Sequence, residues 1–239
     1  MKYLKYYITP ILSPVIIIGI LLGGSWMWLG FCELLIVVIL GDYFLGEDIS
    51  TPEYNHPWLI ELPLHLALPV ISCVLISFAW STGQGSVDFL RLGNFLSQYF
   101  TYDFITSRNS STWFDYLGGV ISVGFILAGY GTNVAHELTH RIKDKLAMME
   151  GRWLLAASCN ADFSIEHVFG HHLTVGTNAD PATAKKGENV YYFAIRSTIL
   201  GHFSAWRIEL KRLRKKNIST FSLNNRTLTG YCMSIFWGI

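Results

Sequence analysis

Charged residues and paired cysteines are what this chain of 239 residues has least of. Asp, Glu, Lys and Arg make up 15% of it against 51% hydrophobic residues, and the mean hydropathy is +0.34. That is too apolar for an ordinary soluble domain, and no nucleic-acid partner is expected. The four cysteines, Cys32, Cys73, Cys159 and Cys232, are scattered and form no CxxC. This excludes a disulfide framework and a thiolate zinc or iron–sulfur site, and leaves buried, inert thiols as the expectation. No GxGxxG is present either, so any electrons the chain uses come from outside it. Between Asp42 and Glu61 there is no Lys or Arg, whereas 14 of the 18 basic residues fall between Arg141 and Arg226.

Long apolar runs and aromatics are abundant. Eight Trp, 12 Tyr and 15 Phe suit interfacial belts. Apolar runs over 8–23 and 26–41, separated only at Gly24-Ser25, predict a tight transmembrane hairpin. A secretory signal is excluded for the first run because no small-residue cleavage site follows it. A third span is expected over 62–81 and a fourth over 113–134, whose glycines permit close helix packing. The start of a fifth is expected over 228–239. Residues 42–61 read as a loop, and 81–112 as a loop with an interfacial helix. The expected fold class is all-α, a multi-pass transmembrane helical bundle forming one domain over 1–239. Glu33 lies inside the second run, as either a functional or a hydrogen-bonded structural carboxyl.

Four crossings put the amino terminus and the region after His140 on one side. The positive-inside bias makes that side the cytoplasm, so a multi-pass inner-membrane protein is expected. The basic stretch Arg207–Lys216 would meet anionic lipid head groups or an acidic protein.

Of eight histidines, five lie within 37 residues: His136, His140, His167, His171 and His172. Histidines four apart on a helix face the same way and can share an ion, and both clusters have that spacing. Alone, the HExxH of His136–His140 would read as a zinc-protease helix, or as interfacial histidines capping a helix. Five imidazoles exceed what one tetrahedral zinc uses, so two ions are expected, with iron preferred. Glu137, Glu166, Asp180 and Glu188 are candidates for orienting a ligand imidazole; Glu137 pairing with Arg141, and a plain capping role for Asp180 or Glu188, are the alternatives. His202 is expected on a helix surface, His56 in a loop and His65 inside the bundle.

The ordered segments HELTHR, EHVFGHH, TNADPAT, GENVYYF and AWRIELKRLRKK resemble the integral-membrane alkane and xylene monooxygenases of the fatty-acid desaturase and hydroxylase superfamily. GGSWMWLG and FSLNNRT are similar to the xylene monooxygenase branch. The resemblance implies a six-helix membrane fold with a di-iron site. It implies insertion of one atom of O2 into an unactivated C–H bond of an n-alkane or xylene-type methyl group. It also implies electrons from a rubredoxin, a ferredoxin or a ferredoxin reductase. His136, His140, His167, His171 and His172 would be iron ligands. A fatty-acyl or lipid desaturase, or an inactive metal-binding membrane fragment, are the alternatives. The resemblance further implies a His-Tyr-Gly motif and a third histidine box downstream. Neither is in these residues, so the chain is expected to be truncated at its carboxy terminus and inactive alone.

Overall fold

The computed structural model describes residues 2–45, 52–83 and 85–238, and among these every regular element is helical. Among the described residues, four helices are long and apolar enough to cross a bilayer: Leu4–Leu22, Gly24–Phe44, Trp58–Ser81 and Trp113–His140. The all-α, multi-pass membrane architecture follows from these runs. The chain divides into two compact units, Met1–Gly131 and Thr132–Ile239.

In the first unit, α1 (Ile8–Leu22) ends where Gly23 takes φ +70°, a left-handed turn natural to glycine. A 3-10 turn, Gly24–Trp28, leads directly into α2 (Leu29–Leu45), completing the expected hairpin. The third span, α3 (Trp58–Ser81), starts four residues earlier than expected, and Pro63 and Pro69 lie inside it. With α2 reaching Leu45, the loop expected over 42–61 shrinks to 46–57, of which 46–51 lie outside the described residues. The region after α3 is folded rather than open, with short helices α4 (Leu92–Ser97) and α5 (Phe104–Asn109). Its anchor is Arg108, only 1% exposed, whose guanidinium lies 4.8 Å over the Trp80 ring and donates to Gly85 O. Trp80 Nε1 in turn donates to Asp88, which also accepts from the backbone of Gly93 and Asn94. A capping box between Thr112 and Asp115 opens α6 (Trp113–Ile126). Only two of this span's glycines serve close packing. A Cβ at Gly118 would come within 2.6 Å of the Trp28 ring and one at Gly119 within 2.8 Å of Phe78, whereas Gly124 and Gly129 face open space.

A π-helical segment, Leu127–Thr132, joins α6 to α7 (Asn133–His140), so the fourth span ends at His140 rather than 134. The second unit continues with α8 (Lys145–Ala157), capped by Asp144, and α9 (Phe163–Glu166). A second π-helical segment, His167–His171, leads to α10 (His172–Thr174). Asn189 caps α11 (Val190–Lys215), and α12 (Arg226–Gly238) covers the expected start of a fifth span. The helix α8 packs against both α7 and α12, and α9 against α11. All four cysteines are exposed, against the expectation of buried thiols; a thiol on a span can face outward in an apolar medium at no cost in burial.

Candidate metal centre

The first histidine pair behaves as its spacing predicts. His136 and His140 are one turn apart on α7, with their Nε2 atoms 3.3 Å apart. The second cluster does not, because it sits on a π turn rather than an α turn. A π turn closes from i to i+5, so His172, not His171, is carried round to His167, with 3.1 Å between their Nε2 atoms. His167 is the hub, since its Nε2 also lies 2.7 Å from that of His136 and 3.2 Å from that of His140. Imidazole nitrogens about 2.1 Å from a shared ion lie roughly 3.0 Å apart at a right angle and roughly 3.4 Å apart at the tetrahedral angle. The separations of 3.1, 3.2 and 3.3 Å fall in that range and the 2.7 Å between His136 and His167 is shorter; His136, His140 and His167 come together as a group that could hold one ion.

Burial, and then the neighbouring His136, His172, His140 and His171, push the His167 imidazole down to about 4. At neutral pH its ring is therefore uncharged, with a lone pair to give. Phe163 stacks on it at 4.6 Å and 13°, fixing the ring plane.

His171 also stacks on His167, with centroids 5.3 Å apart, but its Nδ1 goes to Asp180 Oδ2 at 2.9 Å. Donation from Nδ1 to a carboxylate leaves Nε2 as the lone-pair nitrogen. Burial pushes the Asp180 carboxyl up, but hydrogen bonds from Thr183, Ala182 and His171 hold it below its ordinary value, so it is an anionic partner. The loop that presents Asp180 is itself clamped. Arg196 donates to Pro181 O at 3.1 Å and to Thr183 O at 3.0 Å. It also forms a two-pronged pair with Glu188. Glu188, expected as an imidazole partner, is thus taken up by Arg196 instead, because the guanidinium fork matches both of its oxygens. Replacing Asp180 with Asn should lower the affinity of the cluster for a divalent metal on the order of 10- to 100-fold, measured by competition against a chromophoric chelator. Unchanged affinity would detach Asp180 and His171 from the centre.

Glu137 pairs with Arg141 at 3.4 Å on the exposed side of α7. Glu166 is 6% exposed; burial, then the charge of Asp180, pushes its carboxyl up. Its Oε1 lies against Gly170, where an added Cβ would come within 2.7 Å, so a larger residue at 170 would push the Glu166 carboxyl aside. His56 lies in the loop before α3, and His65 lies half-buried on α3. His202 is not a bare surface residue: its Nδ1 meets Asp162, which is 2% exposed.

Sequence reasoning missed three supports: Phe163, the Asp162–His202 pair and the ion cluster behind Phe169. In that cluster the Arg226 guanidinium lies 5.3 Å over the Phe169 ring and is held by Glu209. The one available signal was a Glu at 209 inside an otherwise basic run. Arg212, expected on the basic face, turns to the same Glu209, leaving Arg207, Lys211, Arg214, Lys215 and Lys216 exposed.

The family model described as fatty acid desaturase matches residues 111–237, which include all five histidines. The chain is 39% identical over 210 residues to alkane 1-monooxygenase 1 of Pseudomonas aeruginosa, covering 84% of this chain and 50% of that one. It is 31% identical over 242 residues to alkane 1-monooxygenase of Acinetobacter baylyi, covering 98% and 54%. To the xylene/toluene monooxygenase hydroxylase component XylM of Pseudomonas putida it is 26% identical over 230 residues, covering 95% and 55%. The chain therefore spans about half the length of the curated relatives it matches.

Proposed function

Because this chain belongs to the fatty acid desaturase family, we propose that its histidine cluster is an iron centre for hydroxylating an unactivated C–H bond of a hydrophobic molecule. The substrate is an n-alkane or an alkyl-aromatic methyl group, and the reaction takes one O2, two electrons and two protons to an alcohol and water. The observation that carries this reading is the convergence of three imidazole Nε2 atoms, those of His136, His140 and His172, on that of His167. A nitrogen-only donor set suits iron used with O2. When bound, iron supplies the redox chemistry; the chain's own residues hold it and keep the ligand rings in place. Two ions is the count we propose for the complete centre, with His171, turned aside by Asp180, offering its Nε2 to the second.

With neither a thiolate cluster nor a nucleotide fingerprint in the chain, the electrons are proposed to come from a rubredoxin, a ferredoxin or a ferredoxin reductase. The exposed basic end of α11 offers such an acidic carrier, or anionic lipid head groups, a complementary surface. The skew of Lys and Arg supports an inner-membrane location with the amino terminus and the cluster in the cytoplasm.

Expression of a protein of the relatives' full length that carries these residues, in a bacterial host that lacks alkane oxidation and supplies rubredoxin, tests the proposal with dodecane and p-xylene as substrates. The expected products are 1-dodecanol and 4-methylbenzyl alcohol. Unsaturated acyl chains without alcohol would make the chain a desaturase, and bound iron with neither product would overturn the hydroxylase reading.

A further inference from the structure

The loop between α11 and α12, residues 216–225, carries the two most exposed large hydrophobic side chains among the described residues, Leu223 at 88% and Phe221 at 82%. They do not mark a loose segment, because the backbone around them is pinned from both sides. Ile218 N donates to Leu213 O, Ser222 N to Ser219 O and Asn225 N to Ser222 O. Arg212, itself held by Glu209, donates to Asn224 O. Asn225 is fully buried and works in both directions: its Nδ2 donates to Thr220 O, while its Oδ1 accepts from Thr227 N and Leu228 N at the start of α12. The turn is therefore built, and it displays two apolar side chains that water alone would cover at a loss.

The surrounding charge and the chain that follows point to the occupant. From Lys211 to Ile239 the sequence has no Asp or Glu, and Lys211, Arg214, Lys215 and Lys216 are exposed just before the turn. Shortly after Leu223 the chain enters the apolar run 228–239. We propose that this loop anchors the second unit to the anionic surface of a lipid bilayer. Phe221 and Leu223 enter the boundary between head groups and acyl chains, and Arg214, Lys215 and Lys216 meet lipid phosphates. An apolar wedge beside a cluster of Lys and Arg draws on both attractions at once. An acidic protein would answer the charges but would leave the two apolar side chains, and their closeness to the apolar run, without a role. The inference does not rest on the hydroxylase reading, and neither iron nor C–H oxidation enters its test.

A dansyl-bearing amino acid placed at 223 of the full chain by amber suppression reports the seating of the loop. The purified protein is put into nanodiscs of phosphatidylcholine, alone or mixed equally with phosphatidylglycerol. With phosphatidylglycerol present, the emission should move to the blue and be quenched by lipids brominated on the acyl chain more than by acrylamide in the water. Added salt should return it toward the red in the chain with no further substitution. Replacing Arg214, Lys215 and Lys216 together with Gln should lower the ratio of inserted to free loop on the order of 100-fold, at about five-fold per charge. Phe221→Ser should lower it about ten-fold. Helix content by circular dichroism should match the parent in both variants, since all four side chains are exposed. A reporter that stays open to acrylamide with phosphatidylglycerol present, that is shielded equally in both lipids, or that turns blue only when an acidic protein such as rubredoxin is added would overturn the proposal.

Discussion

Alanine at His167 should abolish saturable metal binding by the cluster, whereas alanine at His172 should weaken it only about ten-fold. The difference follows from geometry. His167 Nε2 is within 2.7–3.2 Å of three other imidazole nitrogens, so its removal takes away the atom that the others share. His172 contributes one edge of the set, next to His167. Cobalt(II) is the convenient probe, because its visible bands report both stoichiometry and coordination number. The parent chain should develop bands that saturate, and His167→Ala should not. The substitution also removes a ring stacked on Phe163, a contact of about 1 kcal/mol, so helix content must be checked alongside. His56→Ala, in a loop before α3, is the control expected to leave the titration unchanged. Full-strength cobalt binding by His167→Ala would defeat the ligand assignment.

Why four histidines converge, rather than the pairs the spacing suggests, explains what could and could not be read from the chain. Spans were legible because bilayer thickness imposes a run length that composition reveals directly. Their ends were less so: apolar patterning stops at Val134, but the hydrogen-bonded helix runs on to His140. A π turn leaves no trace in hydrophobic periodicity, since a single inserted residue changes the register without changing composition. Both histidine clusters adjoin or contain one, Leu127–Thr132 and His167–His171. Which histidines come together was therefore legible in the chain, while the partnership of His167 with His172 was not. The supporting shell was hidden for a related reason. Glu188 and Asp180 are both acids in a turn-rich segment, and only the position of Arg196, eight residues beyond Glu188, decides which of them meets an imidazole. Likewise Glu209 and Arg212 read as part of a solvated basic face until the chain folds back to bring Arg226 against them.

That buried Glu209 carries the second large effect. Its side chain has no exposure, and it accepts hydrogen bonds from Arg212 Nε and Nη2 and from Arg226 N, Nε and Nη2. Arg152 completes the cluster by donating to Arg226 O and Thr229 Oγ1. Burial, then the like charge of Arg226, pulls the Arg152 guanidinium below its ordinary value, with Glu209 pulling the other way. Removing the carboxylate that Arg212 and Arg226 share leaves their charge uncompensated; because their side chains are 26% and 32% exposed, the cost falls at the low end of about 3–5 kcal/mol. Glu209→Ala should therefore melt the second unit well below the parent in a detergent thermal scan, and Glu209→Gln should fall between. The pH dependence gives an independent reading. Burial pushes the Glu209 carboxyl up, but the hydrogen bonds from Arg212 and Arg226 outweigh it and hold the group at about 2, below its ordinary 4.5. A depressed carboxyl contributes stability that is fully present above about pH 4.5 and is lost as the pH falls toward about 2. A shift of that size corresponds to roughly 3 kcal/mol, in line with the mutational cost. Other carboxyls, Glu188 among them, titrate over the same range, so the informative quantity is the difference between parent and Glu209→Gln, which should shrink between pH 4.5 and 2. Since Arg226 also lies over Phe169, inside the turn between His167 and His171, Glu209→Ala should lower cobalt affinity as well. If it melts the unit yet leaves cobalt binding untouched, the ion cluster supports the fold without positioning the ligands.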